Sequence, residues 1–425
     1  MPGRILVDVS PLRESRDFRL LFEGQLISTV GGQLTVVAIP YQVFELTRSS
    51  LQVGAISLAQ LGPLIVGALV GGSVGDAIDR RKLLLVTTAL LALTSGALAL
   101  NAVVARPSLV VLYLVSALAA GLLGFANTAR TASVPALVAR RHLAPAYAFT
   151  QIVFQVGTVA GPAASGLLIS AIHLPSLYGI DAVTYLVALV TVVMMSPIPP
   201  VPGAMRPGLG SIAEGVRYLR GRQPLQGVYL IDINAMVFGM PRALFPALAL
   251  DVFHGGATTL GYLYAAPGVG ALVGAATAGW LTGIRHQARA VIVAVVVWGV
   301  AITVFGLVHT LLLSLALLAV AGWADVISAV LRNTILQTSI PEQFRSRLSS
   351  IQMAVVQGGP RLGDLESGAV ATAASVDISI VSGGLACIAG AIVLSLVLPG
   401  FRKLTVDDTG APSAATDQVD SDWAT

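Results

Sequence analysis

Charge is scarce in this sequence. Of its 425 residues only 11% are Asp, Glu, Lys or Arg and 55% are apolar, where soluble domains carry about a quarter charged residues. With a mean hydropathy of +0.84, that excludes a soluble globular chain and leaves an integral membrane protein. Cysteine is nearly absent. Cys387 stands alone in an apolar run, so no intrachain disulfide can form and no redox compartment is implied. No GxxxxGK[ST] phosphate cradle occurs, which argues against ATP-driven transport by this chain alone. Neither a G-x-S-x-G elbow nor a paired-carboxylate loop makes a membrane hydrolase attractive, so no enzyme is expected. His and Cys do not cluster at metal-ligand spacing, so neither a metal nor a cofactor is expected. The net charge of +4 is not gathered into a nucleic-acid patch. The stretch MPGRILVDVSPLRESRDFR lacks the apolar core and small-residue cleavage site of a signal peptide, so the first helix is expected to remain as an anchor.

What the sequence does have is long apolar runs. Runs of about 20 residues, the length that crosses a bilayer, fall near 19–46, 52–75, 83–105, 109–129, 145–170, 177–196, 225–252, 259–282, 289–308, 311–332, 347–371 and 378–399. Spans five, seven and eleven contain polar residues. The short loop GGSVGDAIDRRKLL between spans two and three carries Asp76, Asp79, Arg80, Arg81 and Lys82, and three adjacent bases place it in the cytoplasm. With the N-terminus inside, 21 of the 25 Lys and Arg fall on the cytoplasmic side. Arg48 and Arg106 fall on the other side, and Arg242 and Arg361 within spans. A wrong span count would scramble this bias, so both termini are expected in the cytoplasm.

The organisation expected is a cytoplasmic N-terminus (1–18), a six-helix bundle (19–196), a central cytoplasmic linker (197–224), a second six-helix bundle (225–399) and a disordered acidic tail (400–425). The linker holds SIAEGVRYLR, which reads as a short amphipathic helix. The halves resemble each other weakly. QVGAISLAQLGPLIVGALVGGSVGD lines up with TLGYLYAAPGVGALVGAATAGWLTG; Arg130 and Pro135 correspond to Arg332 and Pro341; Gly161-Pro162 corresponds to Gly359-Pro360. The fold class is thus all-α integral membrane, with twelve transmembrane helices in two pseudo-symmetric six-helix bundles. Internal repetition of this kind is a transporter architecture, with the substrate near the midplane between the halves.

At this point the residues resemble the major facilitator superfamily. Gly72-x3-Asp76-x3-Arg80-Arg81-Lys82 is similar to that superfamily's loop between helices two and three, whereas the second-half counterpart, from Gly279 through Gly283 to Arg285, lacks the Asp. Gly157-x3-Gly161-Pro162-x3-Gly166 resembles the end of the antiporter motif and favours export. FRLLFEGQLISTVGGQ, SSLQVGAISLA, ASVPALVARRHL, LFPALALDVF, LGYLYAAPGVGALVGA and ILQTSIPEQFRSRL resemble one branch, the enterobactin-exporter-like and multidrug efflux proteins. The likeness implies a multi-pass protein of the bacterial cytoplasmic membrane. It also implies proton-coupled export of a catechol siderophore or drug-like amphiphile by alternating access, and a monomer. Its partners would be a small-molecule substrate, protons and membrane lipids.

Candidate residues divide by chemistry. Gly72, Asp76, Arg80 and Arg81, with Arg130 and Arg332 at matching helix ends, read as a conformational gate; positive-inside anchoring is the plain alternative. Asp232 and Asp325 lie at one depth, as do Arg242 and Asp364 at another, and an ionisable group in hydrocarbon needs a partner or a wet cavity. Asp232, Asp325, Asp364 and Glu366 are candidates for the proton, against buried acids paired with Arg. Arg242 and Arg361 suit an anionic substrate group or a structural ion-pair cluster. Gln33, Asn127 and Gln155 suit a polar cavity, or helix–helix hydrogen bonds. Asp181 reads as a cap or packing contact. An importer or a lipid or lysolipid flippase on the same fold is the alternative function. A non-transporting membrane sensor is a third reading, for which no soluble domain is visible.

Overall fold

A computed structural model describes residues 8–75, 78–199, 214–215 and 217–405. The apolar runs form long helices whose starts are marked by short polar side chains. After α1 (Ser10–Glu14), Ser15 caps α2 (Arg16–Thr47) by accepting from the Phe18 amide at 3.1 Å. Then come α3 (Ser50–Gly75) and α4 (Arg80–Val103), the latter capped by Asp79. Ser108 caps α5 (Leu109–Leu137), and α6 (Leu143–Val193) follows. The later helices are α7 (Gln223–Phe238), α8 (Gly256–Thr277), α9 (Gln287–Phe305), α10 (Leu311–Ser339) and α11 (Glu342–Ala373). Last come α12 (Val376–Val397), capped by Ser375, and the short α13 (Pro399–Arg402). Such hydroxyl and carboxylate caps satisfy amide donors that the first turn leaves over.

Among the described residues ten helices are long and apolar enough to cross a membrane. Two differences from the expected twelve have physical causes. Expected spans five and six form one stretch, Arg140–Val193, but His173 within it has φ 66° and ψ 158°. That single non-helical residue breaks the helix between the two expected spans. The eleventh expected span is α11, 32 residues long. It is too polar to qualify on hydropathy, because Arg361, Asp364 and Glu366 interrupt it. The seventh expected span, 225–252, is not one helix. It stops at Gly239, resumes as a 3₁₀ turn at Arg242–Leu244 and passes through a π turn at Leu248–Val252. Pro241 supplies no amide donor at this break, and Trp298 Nε1 donates to the freed Gly239 carbonyl at 2.8 Å.

The chain divides into two compact units, Met1–Pro207 with Pro246–Ala265, and Gly208–Phe245 with Ala266–Thr425. In the first, α2 packs along α6 and α3 along α5. The α3–α5 crossing depends on Gly67, where an added Cβ would overlap the backbone carbonyl of Gly121. In the second, α8 and α10 cross at Gly270 and Gly322 against the carbonyls of Ala319 and Pro267. Apolar burial gives little drive for association in lipid, so close backbone approach takes over that role. At the start of the second unit Glu214 pairs with Arg347 at 3.0 Å, and Tyr218 stacks on Phe344. Glu214 and Tyr218 of the segment read as amphipathic thus dock on α11. The tail beyond 405 and most of the linker lie outside the described residues.

Two outcomes follow from this packing. Gly67→Val, facing backbone that cannot rotate away, should destabilise the purified protein by about 1–3 kcal/mol in thermal unfolding. Gly62→Ala, where an added methyl meets nothing within 4 Å, should leave it unchanged. Glu14 accepts from Arg141 at 3.1 Å and lies 3.1 Å from His142 Nε2. The Arg141 bond, helped by His142, holds its carboxyl below the usual range. The contact that fastens α1 should therefore be complete above the ordinary carboxylate range and be lost as pH falls through the lowered value. Hydrogen exchange in α1 should rise with acid in the wild type and be pH-insensitive in Glu14→Gln.

Candidate functional site

The second unit gathers charge around one arginine. On α10, Asp325, Ser328 and Arg332 recur at helical spacing and share a face. Arg332 Nη2 lies 2.9 Å from Asp232 Oδ1 on α7 and 4.0 Å from Asp325 Oδ1, and Nη1 donates to Ser328 Oγ at 2.8 Å. Gln352 on α11 donates from Nε2 to Asp232 Oδ2 at 3.1 Å. Three helices thus meet on one hydrogen-bonded knot. Its members differ in access: the Asp232 side chain is 0% exposed, Arg332 3%, and Asp325 28%. One guanidinium between two carboxyls leaves a net negative charge, so one added proton makes the knot neutral.

Arg332 was expected at the end of span ten. The helix instead continues to Ser339, because nothing in NTILQTS breaks it before Pro341. The arginine is therefore buried two turns inside. Arg242 follows the α7 break on its 3₁₀ turn, within electrostatic reach of both Asp325 and Arg361. Arg361 on α11 donates to the Gln357 carbonyl at 2.7 Å, and Asp364, three residues on, is buried. Glu366 is half-buried on the same helix. Arg242, Arg361, Asp325 and Asp364 thus form a second polar group in this unit, adjoining the first through Asp325.

The gate candidates belong to the first unit, apart from Arg332. Asp76 lies outside the described residues, and Gly72 is within α3. Arg80 donates to the Ala132 carbonyl of α5 at 2.9 Å, and Arg81 to the carbonyls of Val192 and Val193 at the end of α6. Arg81 thus meets carbonyls of a helix's last turn, which is favourable for a cation, while Arg80 meets α5 more than a turn before its end; both arginines tie the loop to its own unit. Asp79 closes the arrangement, accepting from the amides of Arg81 at 2.8 Å and Ile198 at 3.2 Å. Arg130 sits beside Tyr185 of α6. Gly157 and Gly161 bring α6 against Thr29 and Gln33 of α2, and Gly166 meets Gly261. Pro162 is within α6 and its carbonyl also faces Gly261. Asn127 is exposed, and the Gln155 side chain lies outside the described residues.

Ser328, Gln352 and Asp79 were missed. Asp79 had a readable signal, an acid directly before a helix start. Gln352 had none, since its partner lies 120 positions away. Among the described residues no group of three or more His, Cys, Asp or Glu could hold a metal ion.

A family model described as transmembrane secretion effector matches residues 7–418. The enterobactin exporter EntS of Citrobacter koseri is 32% identical over 410 residues, 96% of this chain and 98% of that protein. The enterobactin exporter EntS of Escherichia coli O1:K1 is 30% identical over 398 residues, 94% of this chain and 95% of that protein. Among solved structures, the nucleoside transporter NupG superposes with a TM-score of 0.73 over 91% of this chain and 99% of that chain, at 12% identity.

Arg332→Gln leaves the buried Asp232 unmatched and should cost about 3–5 kcal/mol. Asp232→Asn should cost less, because Asp325 stays 4.0 Å from Arg332. The Asp232→Asn/Arg332→Gln double variant should recover most of the Arg332→Gln loss, and denaturant unfolding of the purified protein measures all three.

Proposed function

Because the chain belongs to the transmembrane secretion effector family, with the fold of the major facilitator transporters, we propose that it exports an anionic siderophore by proton antiport. The observation that carries this reading is the Arg332 knot: one cation shared by two acids, one of them accessible, in a chain similar end to end to enterobactin exporters. Asp325 is the acid that takes the proton, since Asp232 is sealed against Arg332 and Gln352. Protonation neutralises the knot for the substrate-free return step, and loss of the proton accompanies outward movement of substrate. An anionic catecholate finds its counter-charge at Arg242 and Arg361, where Asp364 and Glu366 limit the net positive charge.

Two six-helix halves, 19–196 and 225–399, joined by 197–224, alternate access as a monomer in the bacterial cytoplasmic membrane with both termini inside. The loop of Gly72, Asp76, Arg80 and Arg81, with Arg130, acts as the gate.

Proteoliposomes enclosing a pH-reporting dye test this with a panel of catecholate siderophores and cationic amphiphiles. The catecholates should drive proton movement in the wild type. Asp325→Asn should bind them but move no protons. Arg242→Gln should weaken their binding by roughly 10–100-fold, the loss of one charge-assisted hydrogen bond of about 1.5–3 kcal/mol. Proton movement with the cationic compounds alone would contradict the siderophore assignment.

A further inference from the structure

In the first unit one carboxyl is buried without a counter-charge. Asp181, on the second half of α6, is 2% exposed. Its Oδ2 accepts from Thr35 Oγ1 of α2 at 2.8 Å and from Ser95 Oγ of α4 at 2.7 Å. Its Oδ1 is buried and has no hydrogen-bond partner. It is not a helix cap: the side chain points into the crossing of α2, α4 and α6 and not at amides of its own first turn. Gly31 of α2 makes room for it, since a Cβ there would come within 2.8 Å of Oδ1.

The groups around Asp181 are neutral or distant. From its own helix come Tyr178, whose hydroxyl donates to Gln42 Oε1 at 2.9 Å, and Tyr185, both buried. From α5 comes Arg130, which sits beside Tyr185 and is not among the groups that act on the Asp181 carboxyl, which are Ser95 and Thr35. On α2 the nearest charges, Glu23 and Glu45, are about 15–18 Å along the axis from Thr35, and on α4 Lys82 is about 20 Å from Ser95. Among the described residues Asp181 has no ion-pair partner. An ionised carboxylate so placed costs several kcal/mol more than two hydroxyl hydrogen bonds return. Asp232 differs in this respect, because Arg332 compensates it.

We propose that Asp181 is a second proton-binding carboxyl of the transporter, neutral in this arrangement and deprotonated when the α2–α4–α6 crossing admits water. The proton passes from the carboxyl to water, the O–H electron pair stays on the carboxylate, and Thr35 and Ser95 remain as donors to it. The proposal rests on the proton-coupled reading above, extending it from one unit to both.

Infrared difference spectra of the full chain in lipid nanodiscs, taken between acid and alkaline pH, test it without any substrate. The wild-type spectrum should contain a carboxylic acid carbonyl component that is lost in Asp181→Asn, retained in Asp325→Asn and shifted in Thr35→Val. In proteoliposomes Asp181→Asn should move fewer protons per substrate than the wild type. A carbonyl region unchanged by Asp181→Asn, or an unchanged proton count, would overturn the proposal. So would a band that sodium removes at fixed pH, which would make this a cation site. Should Asp181→Asn fail to fold, an unshifted band in both Thr35→Val and Ser95→Ala overturns it, and a shift in both supports it. Absence of proton movement in the wild type would instead count against the exporter reading, while the infrared band still decides whether Asp181 holds a proton.

Discussion

An arginine inside a bundle of apolar helices must be paired, and much of the second unit follows from that requirement. Arg332 is 2% exposed and cannot reach water from two turns inside α10. Asp232 on α7 supplies its charge, Gln352 on α11 holds Asp232, and Ser328 holds Arg332. These bonds fix the mutual rotation of three helices that apolar contacts alone would leave free, because lipid tails compete with any Leu or Val for the same surface. Such a knot is weak evidence for stability, since desolvation takes back much of the Coulomb gain. It is stronger evidence for a device, because one proton or one anion changes its charge balance.

The first unit meets the same problem with different chemistry. Its helices approach through glycines, at Gly67 against Gly121 and at Gly157 and Gly161 against α2. Its buried acid, Asp181, is held by hydroxyls. The Arg80–Arg81 loop binds a carbonyl within α5 and carbonyls at the end of α6, so it serves its own unit as an anchor in this arrangement. The α7 break places Arg242 on a short turn after Gly239 and Pro241, where its guanidinium comes within reach of Arg361 and Asp325. A continuous helix at that point would offer no such local rearrangement of the backbone.

Much of this was legible in the sequence. Apolar run length gave the helices, and the shared depth of Asp232 and Asp325 anticipated two acids at one level. The glycine spacing at Gly157, Gly161 and Gly166 was readable only as a likeness to the antiporter motif, and the neighbours it admits, Gln33 and Gly261, needed coordinates. Other features were hidden for physical reasons. The break at His173 comes from a single residue at φ 66° and ψ 158°, a region essentially confined to glycine, so the residue type gives no signal of it. Helix ten ran past Arg332 because polar residues such as Asn333 and Thr334 do not stop a helix whose next breaker is Pro341. Pairings such as Asp232 with Gln352 and Asp181 with Ser95 join positions far apart in sequence, where neither period nor spacing carries information.

Antiport requires that proton and substrate exclude one another: the outward step carries the substrate with Asp325 ionised, and the return step carries the proton on Asp325. Calorimetry of a catecholate siderophore binding to the purified full chain, repeated in buffers of different ionisation enthalpy, measures the protons released on binding. The account predicts release in the wild type and binding without release in Asp325→Asn. A binding enthalpy for the wild type that does not change with the buffer would contradict it.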